Sequence, residues 1–142
     1  MATQATDLQR SRPARLAEPL GLAAAAGLGA LALHFRDPHQ SGSWGYCPFN
    51  QITGGYCPGC GGLRAVNDLT QFDVVGAASS NLLFVAALPL IAVFWLLWVR
   101  AAAAGRERPQ VPWSPALVGV IVTTAVLFTL LRNTGVGAWL AP

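Results

Sequence analysis

The chain has no lysine, two histidines, one methionine and three cysteines in 142 residues, and only 11% of it is charged, about half of what soluble domains usually carry. Each scarcity removes a class of function. The formal charge of +3 comes entirely from nine arginines, which are scattered beside apolar spans rather than gathered on one face, so nucleic-acid binding has no footprint. Three long stretches carry no Asp, Glu, Lys or Arg at their cores, which leaves a proton or ion pathway within one chain without residues. Gly-rich phosphate loops, zincin motifs and Ser-His-Asp arrangements are missing, and neither His34 nor His39 has a neighbouring serine nucleophile, so hydrolase chemistry has nothing to rest on.

What is abundant is apolar: 54% of the residues. Leu16 to Phe35 is built of Ala, Leu and Gly; Asn81 to Val99 is bulkier and contains Pro89; Pro115 to Leu131 is a third run. Seventeen to twenty residues at about 1.5 Å each reach roughly 26–30 Å, enough to cross a bilayer core. The sequence therefore predicts an all-α membrane protein of a single unit. It consists of an N-terminal tail 1–15, spans 16–35, 81–99 and 115–131, a loop 36–80, a second loop 100–114 and a tail 132–142. Trp44, Trp95, Trp98, Trp113 and Trp139 fall where an aromatic belt belongs. Arg10, Arg12, Arg15, Arg100, Arg106 and Arg108 flank one side and Arg36, Arg64 and Arg132 the other, which predicts a cytoplasmic N-terminus and an exoplasmic loop 36–80 and C-terminus. A cleaved signal peptide ending near Ala30-Leu31-Ala32 is the rival for the first run; the length of that run and Glu18-Pro19 at its start speak against it. Small-xxx-small pairs, Ala23 with Gly27 and Ala25 with Gly29, offer a face for self-association or for another membrane protein, the partners expected besides the lipid bilayer. Pro89 predicts a kink.

The loop holds nearly everything unusual. Gly, Pro, Ser, Asn and Gln dominate Arg36 to Gly62, which predicts irregular backbone. Leu63 to Thr70 reads as a short amphipathic helix, with Leu63, Val66 and Leu69 on one side and Arg64, Asn67 and Asp68 on the other, suited to the outer membrane surface or to capping the helices. Asp73 is an N-cap for a helix beginning at Val74 and running without a break into the second span.

Two copies of Gly-Tyr-Cys-Pro, Gly45 to Pro48 and Gly55 to Pro58, and the motif Cys57-Pro58-Gly59-Cys60 place all three cysteines within fourteen positions. Three readings stand open. In an oxidising compartment Cys47 with Cys57 or Cys60 closes a loop stabilised by roughly 2–3 kcal/mol, giving a membrane subunit or scaffold with a disulfide-stabilised loop. Alternatively Cys47, Cys57, Cys60 and His39 supply a Cys3His zinc set. In the third, Cys57 is a nucleophile, Cys60 its resolving thiol and Cys47 a relay, with activation from the helix that follows; no βαβ pattern surrounds the motif, so this is not a thioredoxin fold. The sequence favours no cofactor, leaves zinc open, and leans away from an enzyme.

Cys47-Pro48-Phe49, Thr53-Gly54, Cys57-Pro58-Gly59-Cys60-Gly61, Arg64-Ala65, Asp73 and Asn81 together resemble the domain of unknown function 2752 family of small bacterial membrane proteins, over about Cys47 to Arg132. Gly62-Leu63 stands where such proteins often have a threonine before the arginine, and Asn81-Leu82 where Asn-Pro is common. The resemblance implies a multi-span protein of a bacterial plasma membrane with a cysteine loop, in which Arg64, Asp73 and Asn81 join the cysteines as structural or partner-binding residues. It implies no activity.

Overall fold

A computed structural model describes residues 11–40, 42–44 and 47–142. Arg10 and the rest of the tail ahead of Ser11, and Gly45-Tyr46 of the first Gly-Tyr-Cys-Pro copy, lie outside the described residues. Among those described the chain is all helical: α1 Arg12–Phe35, α2 Pro48–Thr53, α3 Gly62–Thr70, α4 Val74–Ala104 and α5 Pro115–Arg132, followed by a 3-10 turn Ala138–Leu140. Three of these, α1, α4 and α5, are long and apolar enough to cross a membrane. Only 6–11% of their most apolar windows is buried, and Leu28, Leu90 and Val120 are more than 60% exposed. Such helices satisfy their own backbone and present side chains suited to lipid.

Local chemistry sets the ends. Pro115 occupies the first turn of α5 and the Ser114 hydroxyl accepts from the Leu117 N–H at 3.2 Å, a capped start. Asp73 caps α4 by accepting from the Gly76 N–H at 2.8 Å. The same residue closes α3: its N–H reaches the Asp68 carbonyl at 2.9 Å while that of Phe72 reaches Leu69 at 3.1 Å, a Schellman arrangement. Phe72 sits in the left-handed region at φ 63, where this motif ordinarily places glycine.

The short helix α2 interrupts the segment expected to be irregular; Pro48 starts it and Gly54, at φ 70, stops it. The helix expected to run unbroken from Val74 is broken at Asn81, whose φ −159 and ψ 90 are non-helical. A side chain that serves as both donor and cap explains the break: the Asn81 carbonyl oxygen accepts from the Phe84 N–H at 2.9 Å, restarting the helix beyond it.

The chain falls into two compact units, Met1–Gly29 with Leu88–Pro112, and Ala30–Ala87 with Trp113–Pro142. In the first, the Trp95 indole donates to the Pro19 carbonyl at 2.9 Å and Arg15 Nε to Ala102 at 3.1 Å, while Arg108 lies over the Trp98 ring at 4.1 Å. In the second, α3 is amphipathic in an unexpected sense. Ala65, Asn67 and Asp68 are buried and Leu63 is exposed. Its polar edge points inward because it has work there: Asn67 donates to the Leu33 carbonyl at 2.7 Å and accepts from Gln71, and Asp68 accepts from the Ser80 hydroxyl at 2.8 Å. Arg64 therefore does not pair with Asp68 across one turn; its Nε reaches the Pro38 carbonyl at 3.3 Å.

Candidate functional site

The second unit gathers the three cysteines at one point. Cys47 stands at the N-terminus of α2, and Cys57 and Cys60 at either end of the turn that leads into α3. All three are free and half-buried. The Cys57 and Cys60 sulfurs are 3.1 Å apart, those of Cys47 and Cys57 are 3.6 Å apart, and every pair lies within 4.8 Å. These sides cap the angle at Cys57 near a right angle, so the sulfurs form a compact triangle rather than a line.

Two side chains from distant parts of the chain fix the turn that carries this triangle. Arg132, 1% exposed, makes all five of its hydrogen bonds to backbone carbonyls: Nη1 to Cys57 at 2.9 Å and Cys60 at 3.0 Å, Nη2 to Ser80 at 3.3 Å and Leu140 at 2.8 Å, and Nε to Leu140 at 3.1 Å. Its guanidinium also lies over the Phe128 ring at 4.8 Å and the Tyr56 ring at 5.8 Å. Asn81 donates to the carbonyls of Pro58 and Cys60, both at 3.0 Å. Breaking α4 at Asn81 thus frees a side chain to hold the cysteine turn. Gly61, at φ 81, passes so close that a Cβ there would collide with the Ser80 carbonyl oxygen; glycine is required on both counts. Asn133 completes the grip, accepting from the Tyr56 N–H and donating to its carbonyl, each at 2.9 Å.

The thiols are not equivalent. Cys47 is lowered to about 7, first by the Asn50 backbone N–H that α2 aims at its sulfur and then by the Cys60 thiol. Burial pushes Cys60 up to about 12, with the neighbouring Cys57 and Cys47 thiols adding to it. The lowered thiol therefore lies outside the Cys57-Pro58-Gly59-Cys60 motif, and the helix answerable for it is α2, which the sequence did not disclose.

Of the other residues expected in the site, Asn81 is part of it and Asp73 is a cap. Arg64 lines the same groove as the cysteines. His39 is not in the group of clustered ligand atoms: its Nδ1 is 2.9 Å from Asp37 and its Nε2 3.4 Å from Asp68, so both ring nitrogens face carboxylates. Asp37 is held below the usual carboxylate range, chiefly by the His39 backbone N–H. Sequence reasoning missed Arg132, Asn133 and Leu140. Arg132 entered it only as a charge beyond a span; its place directly after an uncharged run was the available signal.

A family model described as "Protein of unknown function (DUF2752)" matches residues 47–95, which takes in the cysteines, α3 and most of α4 and stops short of Arg132. No curated protein and no solved structure matches the chain.

Proposed function

We propose, on the premise that the chain belongs to the DUF2752 family through residues 47–95, that it is a multi-pass membrane protein whose loop forms a three-thiolate site for a thiophilic divalent cation, zinc foremost. The observation that carries this reading is the triangle of sulfurs. In a tetrahedral site with Zn–S of about 2.3 Å, neighbouring sulfurs stand about 3.8 Å apart; sides of 3.1 and 3.6 Å and a third within 4.8 Å put all three sulfurs within reach of one such ion after small side-chain adjustments. Charge supports a divalent ion. Three thiolates, a doubly charged ion and the Arg132 guanidinium sum to zero, which is what a half-buried cluster requires.

The second reading is thiol–disulfide chemistry, either a scaffold stapled through Cys57 or an oxidoreductase. Cys57 does lie beside both other thiols. Exchange, however, proceeds by attack of a thiolate on a disulfide sulfur with departure of the other, and that displacement runs along the S–S axis. Three sulfurs whose angle at Cys57 is no wider than about a right angle favour convergence on one ion over passing a bond down a line.

The orientation that fits places the N-terminus in the cytoplasm and the cysteines on the exoplasmic side. Six arginines flank the first side. On the other, Arg64 and Arg132 are bound to backbone carbonyls and Arg36 lies over Trp44 at 5.3 Å, so each already has a partner within the protein.

The test is metal analysis on protein purified from membranes, with free thiols counted by alkylation before any reductant is added and again after reduction. One equivalent of zinc per chain, lost in Cys57→Ser and kept in His39→Ala, is the expected result. A metal-free protein with two cysteines blocked and one free would reject the metal site in favour of the disulfide scaffold.

A further inference from the structure

We infer that the turn joining α3 to α4, Phe72 to Val75, is inserted into the bilayer interface on the cysteine side of the protein, with phospholipid at the headgroup–acyl boundary as the partner of this patch. The inference rests on the membrane-spanning helices and not on the state of the cysteines. Its first support is the inverted polarity of the helix that carries the turn. A helix lying against a protein in water packs its apolar edge inward and turns its polar edge out. In α3 the order is reversed: Asn67 and Asp68 are buried, Leu63 is exposed, and Val66 and Leu69 are half-buried. The turn continues the outward apolar surface, for Phe72 is 92% exposed and Val74 and Val75 are 59% and 71% exposed. Three bulky apolar side chains within four positions form the kind of patch that marks a membrane or protein contact.

Position selects lipid as the occupant. Asn67 donates to the Leu33 carbonyl at 2.7 Å and the Thr70 hydroxyl is 3.0 Å from His34 Nδ1, so α3 lies against the last turn of α1, a helix long and apolar enough to cross a membrane. Leu31 and Phe35 at that end of α1 are themselves exposed, and the patch is continuous in level with this lipid-facing surface. The backbone of the turn also suits a medium poor in water, where each donor needs an acceptor within the protein. The Gln71 and Asp73 N–H groups reach the Asp68 carbonyl at 3.0 and 2.9 Å, that of Phe72 reaches Leu69 at 3.1 Å, and that of Gly76 reaches the Asp73 carboxylate at 2.8 Å. Phe72 holds a left-handed conformation, φ 63, that glycine would adopt without strain. Packing inside the protein does not offset that strain at 92% exposure; contact with lipid does. Asp73 sets the depth, since a carboxylate stays at headgroup level while the rings and methyls beside it reach about 5–10 Å into the boundary.

Photo-crosslinking identifies the neighbour directly. The benzophenone amino acid p-benzoylphenylalanine, on irradiation, adds across a C–H bond of whatever it touches, so the product has the summed mass of both molecules and nothing leaves. It is placed at Phe72 and, in a second variant, at Val75 of the full chain in nanodiscs of palmitoyl-oleoyl phosphatidylcholine, and the products are read by intact mass and fragmentation. Leu90, exposed in the middle of α4, and Glu107, exposed in the loop after it, serve as the lipid and water references. The expected result is a mass shift of one phospholipid at position 72, 75 or both, with the new bond in the acyl or glycerol region, in a yield comparable with that at 90, and no lipid adduct at 107. An adduct at 90 with none at either 72 or 75, or one confined to the choline headgroup, overturns the inference by placing the turn outside the boundary. A covalent dimer of two chains at 72 and 75 overturns it in favour of a second copy on the patch. If position 90 also gives no lipid adduct, the spanning reading of α4 has failed and this inference falls with it.

Discussion

The two compact units are built on opposite principles. Among the described residues of the unit that joins the chain up to Gly29 with 88–112, helix segments rich in alanine and leucine are joined by side chains reaching helix carbonyls, Trp95 to Pro19 and Arg15 to Ala102 among them. In the unit of residues 30–87 and 113–142, one guanidinium and three amides, Arg132, Asn67, Asn81 and Asn133, each make two or more hydrogen bonds. Where a helix completes its own backbone, additional polar contacts contribute little. Where the backbone turns tightly around three thiols, every freed carbonyl needs a donor. The contrast teaches that the unit with more sequence-specific polar contacts is the one with chemistry to hold.

Replacing Arg132 by alanine should break the contrast most. It strands the carbonyls of Cys57, Cys60, Ser80 and Leu140, and we expect a loss of at least ~3 kcal/mol, read as a lower unfolding midpoint in nanodiscs together with rapid alkylation of all three cysteines. Lysine, a point charge with three donors, should recover only part of it. Gly61→Ala comes next, at ~2–3 kcal/mol, from the left-handed backbone and the collision with the Ser80 carbonyl; the same two readouts apply.

Within the second unit the comparison sharpens to its thiols. With Cys47 at about 7 and Cys60 at about 12, roughly half of Cys47 and almost none of Cys60 is thiolate at pH 7. In metal-free reduced protein, iodoacetamide should modify Cys47 more than ~100-fold faster than Cys60. The Cys47 rate should rise with pH through 7 and then level, while that of Cys60 should still be climbing at pH 10. Peptide mapping by mass spectrometry resolves the two sites. The smallest effect belongs to the first unit: Trp95→Phe removes one hydrogen bond and should cost ~1 kcal/mol with metal stoichiometry unchanged. A loss of metal in that variant would erase the distinction between the units.

The three long helices could be read from the sequence because solubility in lipid is a property of composition, summed over about twenty residues and indifferent to partners. Caps such as Asp73 were equally legible, since capping is local. The site was legible as far as its cysteines and, through the family resemblance, Asn81 and Arg64. The inward face of α3 was not, because Asn67 and Asp68 look like a solvent edge until the Leu33 carbonyl and the Ser80 hydroxyl stand opposite them. The same holds for the break at Asn81, where local rules pointed to an unbroken helix: Asn81 is drawn out of it by carbonyls some twenty residues upstream. Arg132 is the extreme case, a lone charge whose meaning depends on partners 72 and 75 residues away.

That separation has a consequence for the order of events during synthesis. The cysteine turn leaves the ribosome well before the arginine that locks it, and at about 5–20 residues per second the 75 intervening residues take roughly 4–15 s to follow. Throughout that interval the thiols are present and their clamp is not. Closure of the turn therefore registers that the last long helix has arrived, and a chain whose insertion stalls after α4 is left displaying three unguarded sulfurs to whatever oxidant, metal or quality-control thiol is nearby.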